Sequence, residues 1–154
     1  MNHIKSDKDS SSSCSSGLRA FGPEKRIKKR SDFLEVQSNG RKWRSGNFLV
    51  SVLKTKSSPD HSLARIGITI TTKVDKRAVR RNRLKRRIRE IFRILYDRLN
   101  FEKSDTGDSH TRLDIVIIAL NGSVDLSYKE IRDQIYFCFR RLQLISSAKK
   151  RNQE

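Results

Sequence analysis

The sequence has few cysteines and no long apolar run, and each absence excludes a class of protein. The two cysteines, Cys14 and Cys138, lie far apart and lack the CxxC spacing of metal sites. We therefore expect no disulfide, no metal site and a reducing, cytoplasmic compartment. The longest apolar run, IVIIAL at 115–120, suits one buried strand, whereas a transmembrane helix needs about 18 residues or more. Residues 1–20 also lack the apolar segment of a secretory signal.

Acidic residues are scarce relative to basic ones. The 154 residues include 17 Asp and Glu but 35 Lys and Arg, which gives a formal net charge of +18. Such a charge works against compactness because the chain repels itself, but it attracts polyanions. Nucleic acid is the usual polyanion, and an anionic membrane surface is the alternative. The length fits one ordinary domain.

The sequence also lacks the groupings that carry out catalysis in a protein. His3, His61 and His110 have no paired carboxylate or nucleophile to accompany them. Gly67 and Gly122 are isolated glycines and form no phosphate-binding loop. We therefore predict no catalytic residue in the protein itself, which is compatible with a binding protein.

Two further residues have simple structural interpretations. Cys138 falls on the apolar stripe of the last predicted helix and is expected in the core. Trp43 follows Arg41 and Lys42, so its ring could stack on a nucleic-acid base or pack against the core. The sequence alone does not decide between these two roles for Trp43.

Apolar periodicity and turn residues predict three helices and three strands, with room for one further strand. Ser31 is the predicted N-cap of the first helix, Asn39 and Gly40 its end, and Ser127 with Glu130 a capping box at the last helix. In chain order the elements are a helix at 31–40, strands at 47–54 and 64–71, a helix that contains 78–93, a strand at 113–120 and a helix after 127.

This order predicts one α+β domain over residues 23–145, with helices packed on a small sheet. The strand at 113–120 is apolar enough to be buried on both faces. Residues 1–22 are rich in serine and poor in apolar side chains, so we predict a disordered tail there. Residues 146–154 are predicted to form a basic tail.

The stretch AVRRNRLKRRIREIFR at 78–93 has an apolar face and a basic face when it is placed on a helix. Residues on a helix are about 100° apart, which defines both faces. The apolar stripe contains Leu84, Ile88, Ile91 and Leu95, flanked by Phe92 and Leu99. The opposite row contains Asn82, Arg86, Arg89 and Arg93, bordered by Lys85. Because the sheet should cover the apolar stripe, the helix is unsuited to lie on a membrane surface.

The charges of this helix disfavour it in isolation. Like charges one turn apart repel each other by roughly 0.2–0.5 kcal/mol per pair. Four basic residues, Lys76, Arg77, Arg80 and Arg81, also lie at the helix N-terminus, where the helix dipole favours anions. We expect nothing in local folding to offset this arrangement, whereas a bound phosphate backbone would. A solvated basic face is the alternative, but the dominance of arginine favours nucleic acid over a membrane.

The basic helix and the segments around it resemble a known protein family. The segment AVRRNRLKRRIRE at 78–90, with Lys73 upstream, is similar to the arginine- and asparagine-rich signature of the bacterial ribonuclease P protein component. The similarity extends over about residues 23–145. It includes the basic block at 24–42, the strand ARIGITIT, and LDIVIIA followed by SYKEIRDQI.

The resemblance implies an α-β-β-β-α-β-α order with a left-handed β-α-β crossover. It also implies a protein that binds a catalytic RNA and the 5′ leader of precursor tRNA. That RNA would hold the active-site Mg²⁺ and cleave the leader, with no obligate protein partner. The alternative is a structural RNA-binding protein of the ribosomal type, without a catalytic partner.

The resemblance and the basic helix together give the predicted contact residues. The predicted RNA-binding residues are Lys73, Arg77, Arg80, Arg81, Asn82, Arg83, Lys85, Arg86, Arg89 and Arg93. The predicted leader cleft contains Phe33, Gln37, Leu49 and Ser51. Gln37 and Ser51 stand where the family often has aromatic residues, and Lys76 stands where it usually has glycine. We therefore expect leader binding to depend less on base stacking and more on charge.

Overall fold

The computed structural model of the protein describes residues 22–57, 63–100 and 110–145. The predicted tails, 146–154 and all but the last residue of 1–22, lie outside the described residues. The helices are α1 (Arg30–Asn39), α2 (Ala78–Tyr96) and α3 (Tyr128–Arg141). The strands are β1 (Arg41–Ser45), β2 (Phe48–Ser57), β3 (Ala64–Thr69) and β4 (His110–Ala119), and short 3-10 turns occupy Pro23–Lys25 and Ser123–Asp125.

The element order confirms the α-β-β-β-α-β-α prediction and the α+β class. Apolar periodicity did not predict β1, because four of its five residues are exposed and show no alternation. The sheet order is β1-β2-β4-β3, with β3 parallel to β4 and the other neighbours antiparallel. Helix α2 therefore connects two adjacent parallel strands, and the left hand of this crossover stays a prediction.

Strand β4 lies inside the sheet and contributes to two apolar clusters. Ile115 and Ile117 are fully buried in the cluster that contains the apolar residues of α2 and α3. Val116, between them in sequence, is fully buried on the other face with Val36 of α1. Successive strand residues point to opposite faces, so the prediction of a strand buried on both sides is confirmed. The sheet thus has α2 and α3 on one face and α1 on the other.

The predicted cap of α1 is wrong. Lys29 is the N-cap, without a side-chain cap hydrogen bond, and Ser31 lies inside the helix. The helix begins earlier because Ile27 is already held to the sheet, where its N–H donates to the Ile66 carbonyl at 2.9 Å. The predicted end is confirmed, since the Gly40 N–H donates to the Val36 carbonyl at 3.0 Å.

The predicted capping box of α3 is confirmed. The Ser127 hydroxyl accepts a hydrogen bond from the Glu130 N–H, and Glu130 Oε2 accepts one from the Ser127 N–H at 2.8 Å. The Ser127 N–H and hydroxyl both donate to the Glu130 carboxylate, and these two hydrogen bonds lower the pKa of Glu130. In the described parts of the chain, no helix combines the length and the apolar composition that crossing a bilayer requires.

Candidate nucleic-acid interface

Helix α2 buries the face that the sequence predicts to be apolar. The stripe residues Leu84, Ile88, Ile91, Phe92 and Leu95 are all at most 3% exposed. Leu99 is buried as well, but it lies beyond the end of α2 and its backbone pairs with Ile145. Burial of this stripe fixes which side of α2 is turned to solvent.

The opposite row of α2 forms the outer face, which we define as Asn82, Lys85, Arg86, Arg89 and Arg93. Asn82 and Arg86 are exposed, and the other three are partly exposed. Arg93 forms an ion pair with Glu90 at 2.6 Å. The structure therefore places these five predicted RNA-binding residues on one accessible surface, away from the core.

Two arginines of the outer face form a cluster of positive charge with a third arginine from outside α2. Burial lowers the pKa of Arg89, and the nearby guanidinium groups of Arg26 and Arg86 lower it further. Arg26 lies in the segment before α1, whose backbone pairs with Ile66 of β3. Sequence reasoning missed Arg26 as a site residue, although the basic block at 24–42 contained it. A phosphate placed among these three cations would relieve their mutual repulsion.

Hydrogen bonds and ion pairs within the chain offset part of the positive charge at the N-terminus of α2. Asp75 Oδ1 accepts a hydrogen bond from the Arg77 N–H at 2.7 Å, and Asp75 Oδ2 pairs with Arg80 at 2.8 Å. Arg80 also pairs with Asp125, in the turn before α3. The expectation that nothing local offsets the basic N-terminus was therefore wrong. The signal was present in the sequence as an aspartate two residues before the N-cap.

Two further arginines of α2 hold neighbouring backbone. Arg81 donates to the carbonyl oxygens of Asp75 and Lys76, both at 2.8 Å. Arg87 donates to the Leu126 carbonyl at 3.1 Å and so fastens α2 to the turn before α3. Arg80 and Arg81, both predicted to bind RNA, thus have partners within the chain as well.

The other predicted RNA-binding residues surround the start of α2. Lys73 is exposed on the connection between β3 and α2, and Arg77 is exposed at the N-cap. Arg83 is exposed on the first half of α2. These side chains add exposed positive charge around the first turns of α2.

The predicted leader-cleft residues come from α1 and β2, on the sheet face opposite α2 and α3. Phe33 and Gln37 lie one turn apart on α1 and are half-buried, as is Leu49 of β2. Ser51, two residues after Leu49, is on the same face but fully buried, and its hydroxyl has no hydrogen-bond partner among the described residues. Three of the four predicted residues are therefore accessible, and Ser51 is covered.

Strand register extends this surface beyond the predicted residues. Leu49 is paired with Ile118 of β4, and Ile118 is paired with Thr69 of β3. All three side chains are half-buried and form a strip across the sheet beside Phe33. Sequence reasoning missed Ile118 and Thr69 because only the strand pairing places them next to Leu49. We call Phe33, Gln37, Leu49, Ile118 and Thr69 the cleft surface.

A network of ion pairs holds α1 against the sheet. Arg65 of β3 pairs with Asp114 of β4 at 2.7 Å and with Asp32 of α1 at 3.2 Å. Arg112 pairs with the same Asp114 at 3.0 Å. The hydrogen bond that Arg65 donates to Asp114 raises the pKa of Arg65. Because Asp32 precedes Phe33, this network holds the part of α1 from which Phe33 projects.

Three further predictions concern other chemistry. The described ranges, 22–57, 63–100 and 110–145, contain no cluster of three or more His, Cys, Asp or Glu side chains that could hold a metal ion. His3 and His61 lie outside these ranges, and His110 is the first residue of β4. Cys138 is fully buried, which confirms its core assignment, and burial raises the pKa of its thiol to about 11.

Comparison with known proteins agrees with this arrangement. The family model described as Ribonuclease P matches residues 21–143. The ribonuclease P protein component of Clostridioides difficile is 37% identical over 115 residues, which cover 75% of this chain and 89% of that protein. The same component of Alkaliphilus oremlandii is 32% identical over 123 residues, which cover 80% and 95%.

Solved structures share the fold. The Staphylococcus aureus RNase P protein superposes with a TM-score of 0.63 at 24% identity, covering 79% of this chain and 98% of that one. The Thermotoga maritima RNase P protein, in complex with 1-(4-fluorophenyl)-2-thiourea, gives a TM-score of 0.61 at 26% identity, covering 75% and 98%. With the family model and its relatives matching most of the sequence, this chain belongs to the ribonuclease P protein component family.

Proposed function

We propose that this chain acts in the cytoplasm as the protein subunit of ribonuclease P. The outer face of α2 binds the catalytic RNA subunit, and the cleft surface binds the 5′ leader of precursor tRNA. The RNA subunit cleaves the leader to give the mature 5′ end of the tRNA. The observation that carries this proposal is the one-sided basic row of α2, whose apolar side is entirely used by the core.

Helix α2 supports RNA binding through the placement of its charges. The helix is anchored by its buried stripe and by Arg87, so the outer face is held in a fixed orientation. Arginine presents planar, bidentate donors to phosphate, so less side-chain entropy is lost for each hydrogen bond that it forms. The crowding of Arg26, Arg86 and Arg89 is unfavourable in the free protein and would become favourable around a phosphate.

The cleft surface supports binding of a single strand. A single-stranded leader exposes both bases and phosphates, and proteins bind such strands with aromatic or apolar surfaces beside positive charge. Here the half-exposed Phe33 ring and the strip at Leu49 and Ile118 supply the apolar part. Gln37 and the covered Ser51 offer no ring for stacking, so charge supplies a larger share of the affinity.

In the proposed complex, the RNA binds the magnesium ions and the protein does not. The RNA subunit and the substrate hold Mg²⁺ and supply the phosphodiester chemistry. The basic surface of the protein lowers the repulsion between the leader and the RNA subunit, so the complex needs fewer free cations. The stimulation by the protein should therefore be greatest at low magnesium concentration.

Cleavage of a precursor tRNA at low magnesium by a bacterial ribonuclease P RNA tests this proposal, with and without the full-length chain. We expect strong stimulation by the wild-type protein and its loss in an Arg86→Gln/Arg89→Gln variant. Lys129→Gln/Arg132→Gln removes the same charge from exposed positions on α3 and should leave stimulation intact. Thermal melting of each variant checks that the fold is retained.

Two different results would contradict the proposed function. Tight RNA binding without any stimulation would replace the proposal with a structural RNA-binding protein that has no catalytic partner. Equal loss of stimulation in both double variants would show that total charge matters and that the outer face has no special role.

A further inference from the structure

A second aromatic and basic surface lies on a different part of the molecule. Trp43 of β1 and Phe137 of α3 are 40% and 43% exposed, although the core phenylalanines Phe92 and Phe139 are fully buried. The Arg141 guanidinium lies between the two rings, 5.5 Å from the Trp43 ring centroid and 5.2 Å from that of Phe137. We call these three residues the aromatic platform.

The platform is held by the backbone of its two elements. Trp43 pairs with Val50 of β2, a core residue on the sheet face that α3 covers. The Cys138 thiol lies 3.7 Å from the Trp43 carbonyl oxygen, which places α3 directly beside β1. Because Arg141 follows Phe137 by one helical turn, both side chains reach the same side of α3. The exposed rings are thus supported from below and open to solvent above.

Three exposed arginines lie at or beside the platform. Arg41 lies two residues before Trp43 on the same face of β1, and Arg140 precedes Arg141 at the end of α3. All of these arginines are exposed, and the ion pairs formed among the described residues involve none of them. Two exposed rings with three arginines that form none of these ion pairs therefore suit an anionic, aromatic ligand.

We propose that the aromatic platform binds an unpaired RNA base together with its neighbouring phosphate. Exposed rings beside arginines are the surface that proteins use for single-stranded nucleic acid, because every base offers a π-face. The Arg141 guanidinium lies within 5.5 Å of both ring centroids, and its N–H groups can donate to a phosphate oxygen. A paired duplex would hide its base faces from this surface, so the platform selects unpaired RNA.

The platform is separate from the interface of the proposed function. Strand β1 lies at one end of the sheet order and β3, next to α2, lies at the other. Single-stranded RNA bound at the platform would therefore make contacts additional to those of the outer face. A platform that fails to bind would leave the proposed role of α2 untouched, because that role is measured by cleavage of precursor tRNA and the platform by Trp43 fluorescence with a different ligand.

Trp43 provides a direct measurement, because it is the only tryptophan in the chain. The full-length protein, carrying Arg86→Gln/Arg89→Gln to weaken the outer face, is titrated with a short oligouridylate while Trp43 fluorescence is recorded. We expect quenching by the oligouridylate, since a stacked base quenches the indole. Inorganic polyphosphate and a blunt RNA duplex carry similar charge without free base faces and should not quench it.

Variants separate stacking from charge. Phe137→Ala should weaken the affinity for the oligouridylate by about tenfold, the effect of losing one stacked base. Arg141→Lys keeps the charge but loses the planar group and should also weaken it, whereas Arg132→Lys on the same helix should have no effect. Since Phe137 and Arg141 are exposed, these changes should leave the melting temperature nearly unchanged.

Two outcomes would overturn the inference. One is oligouridylate binding, detected by anisotropy of a labelled strand, that leaves Trp43 fluorescence unchanged. The other is equal quenching by polyphosphate, which would make the surface a charge patch without base recognition.

Discussion

The Phe33 ring lies so close over Gly67 that a Cβ atom added to Gly67 would be 2.4 Å from Cε1 of the ring. Gly67 lies in β3, beside Val116 of β4, and Phe33 projects from α1 across the same face of the sheet. A side chain at position 67 would occupy the space of the ring. The absence of a side chain there thus lets α1 approach the sheet and places Phe33 in the cleft surface.

Replacing Gly67 with alanine should displace the Phe33 ring. We expect a loss of stability of roughly 1–3 kcal/mol, typical of overpacking, and weaker binding of a leader oligonucleotide. Thermal melting and titration with a single-stranded 5′ leader measure the two effects. The matched control is Gly67→Ala in a Phe33→Ala background, where the added methyl group has room. An equal effect of Gly67→Ala in both backgrounds would show that the ring contact is not the cause.

The interior of the fold was predictable because its residues obey strong periodicities. The stripe of α2, the doubly buried β4 and the capping box of α3 all follow from local sequence patterns, and the structure confirms each. Strand β1 was missed by periodicity because an exposed edge strand has no apolar face to reveal it. The start of α1 was misplaced because a long-range hydrogen bond from Ile27 sets it.

The candidate site was less predictable than the fold. The outer face of α2 depends only on helical spacing, so its five residues could be identified from the sequence. Ile118, Thr69 and Arg26 join the site through strand pairing and tertiary proximity, which local patterns do not encode. The burial of Ser51 likewise depends on packing from several elements.

Asp75 should be important for the start of α2. Asp75→Ala removes the acceptor for the Arg77 N–H and one ion-pair partner of Arg80. We expect a loss of about 1 kcal/mol in the free energy of unfolding, typical of removing one hydrogen bond. Urea unfolding measures it, and Asp97→Ala, at the exposed C-terminal end of α2, is the control. If RNA phosphates take over the role of Asp75, the difference should shrink when RNA is bound.

Asp114 should contribute more to stability than any surface carboxylate of this protein. It is 3% exposed and accepts from both Arg65 and Arg112. Asp114→Ala would leave two partly buried arginines without this partner, and we expect a loss on the order of 3 kcal/mol. Leader binding should weaken as well, because Arg65 also holds α1 through Asp32. Asp133→Ala, which removes an exposed ion pair, should change stability by less than about 1 kcal/mol.

Salt dependence should distinguish the two parts of the RNA surface. For single strands, the slope of log affinity against log salt is about −0.7 per phosphate contacted. With an unpaired segment of the RNA subunit as ligand, Arg86→Gln should reduce the magnitude of the slope by about 0.7, the value for one lost phosphate contact. With a leader oligonucleotide as ligand, Phe33→Ala should lower affinity at every salt concentration and leave the slope unchanged. If plots of log affinity against log salt concentration are parallel for the wild type and Arg86→Gln, Arg86 contacts no phosphate of the RNA.

Cys138 should make stability fall at alkaline pH. Burial raises the pKa of its thiol to about 11 in the folded protein, from an ordinary value of 9.0. Below the ordinary value the thiol is protonated in both states and stability is unaffected. As pH rises above it, the unfolded chain loses the proton while the folded chain keeps it, so stability decreases until the folded pKa is passed.

The measurement for Cys138 is the free energy of unfolding between pH 8 and about 11, compared with that of Cys138→Ala. The variant should be less stable at pH 8, because it leaves a cavity at a fully buried site. Its stability should then fall less steeply as pH rises. Tyr96, whose pKa is also raised by burial, is unchanged in both proteins and cancels from the difference. Parallel curves would mean that the thiolate is accommodated in the fold as easily as in water.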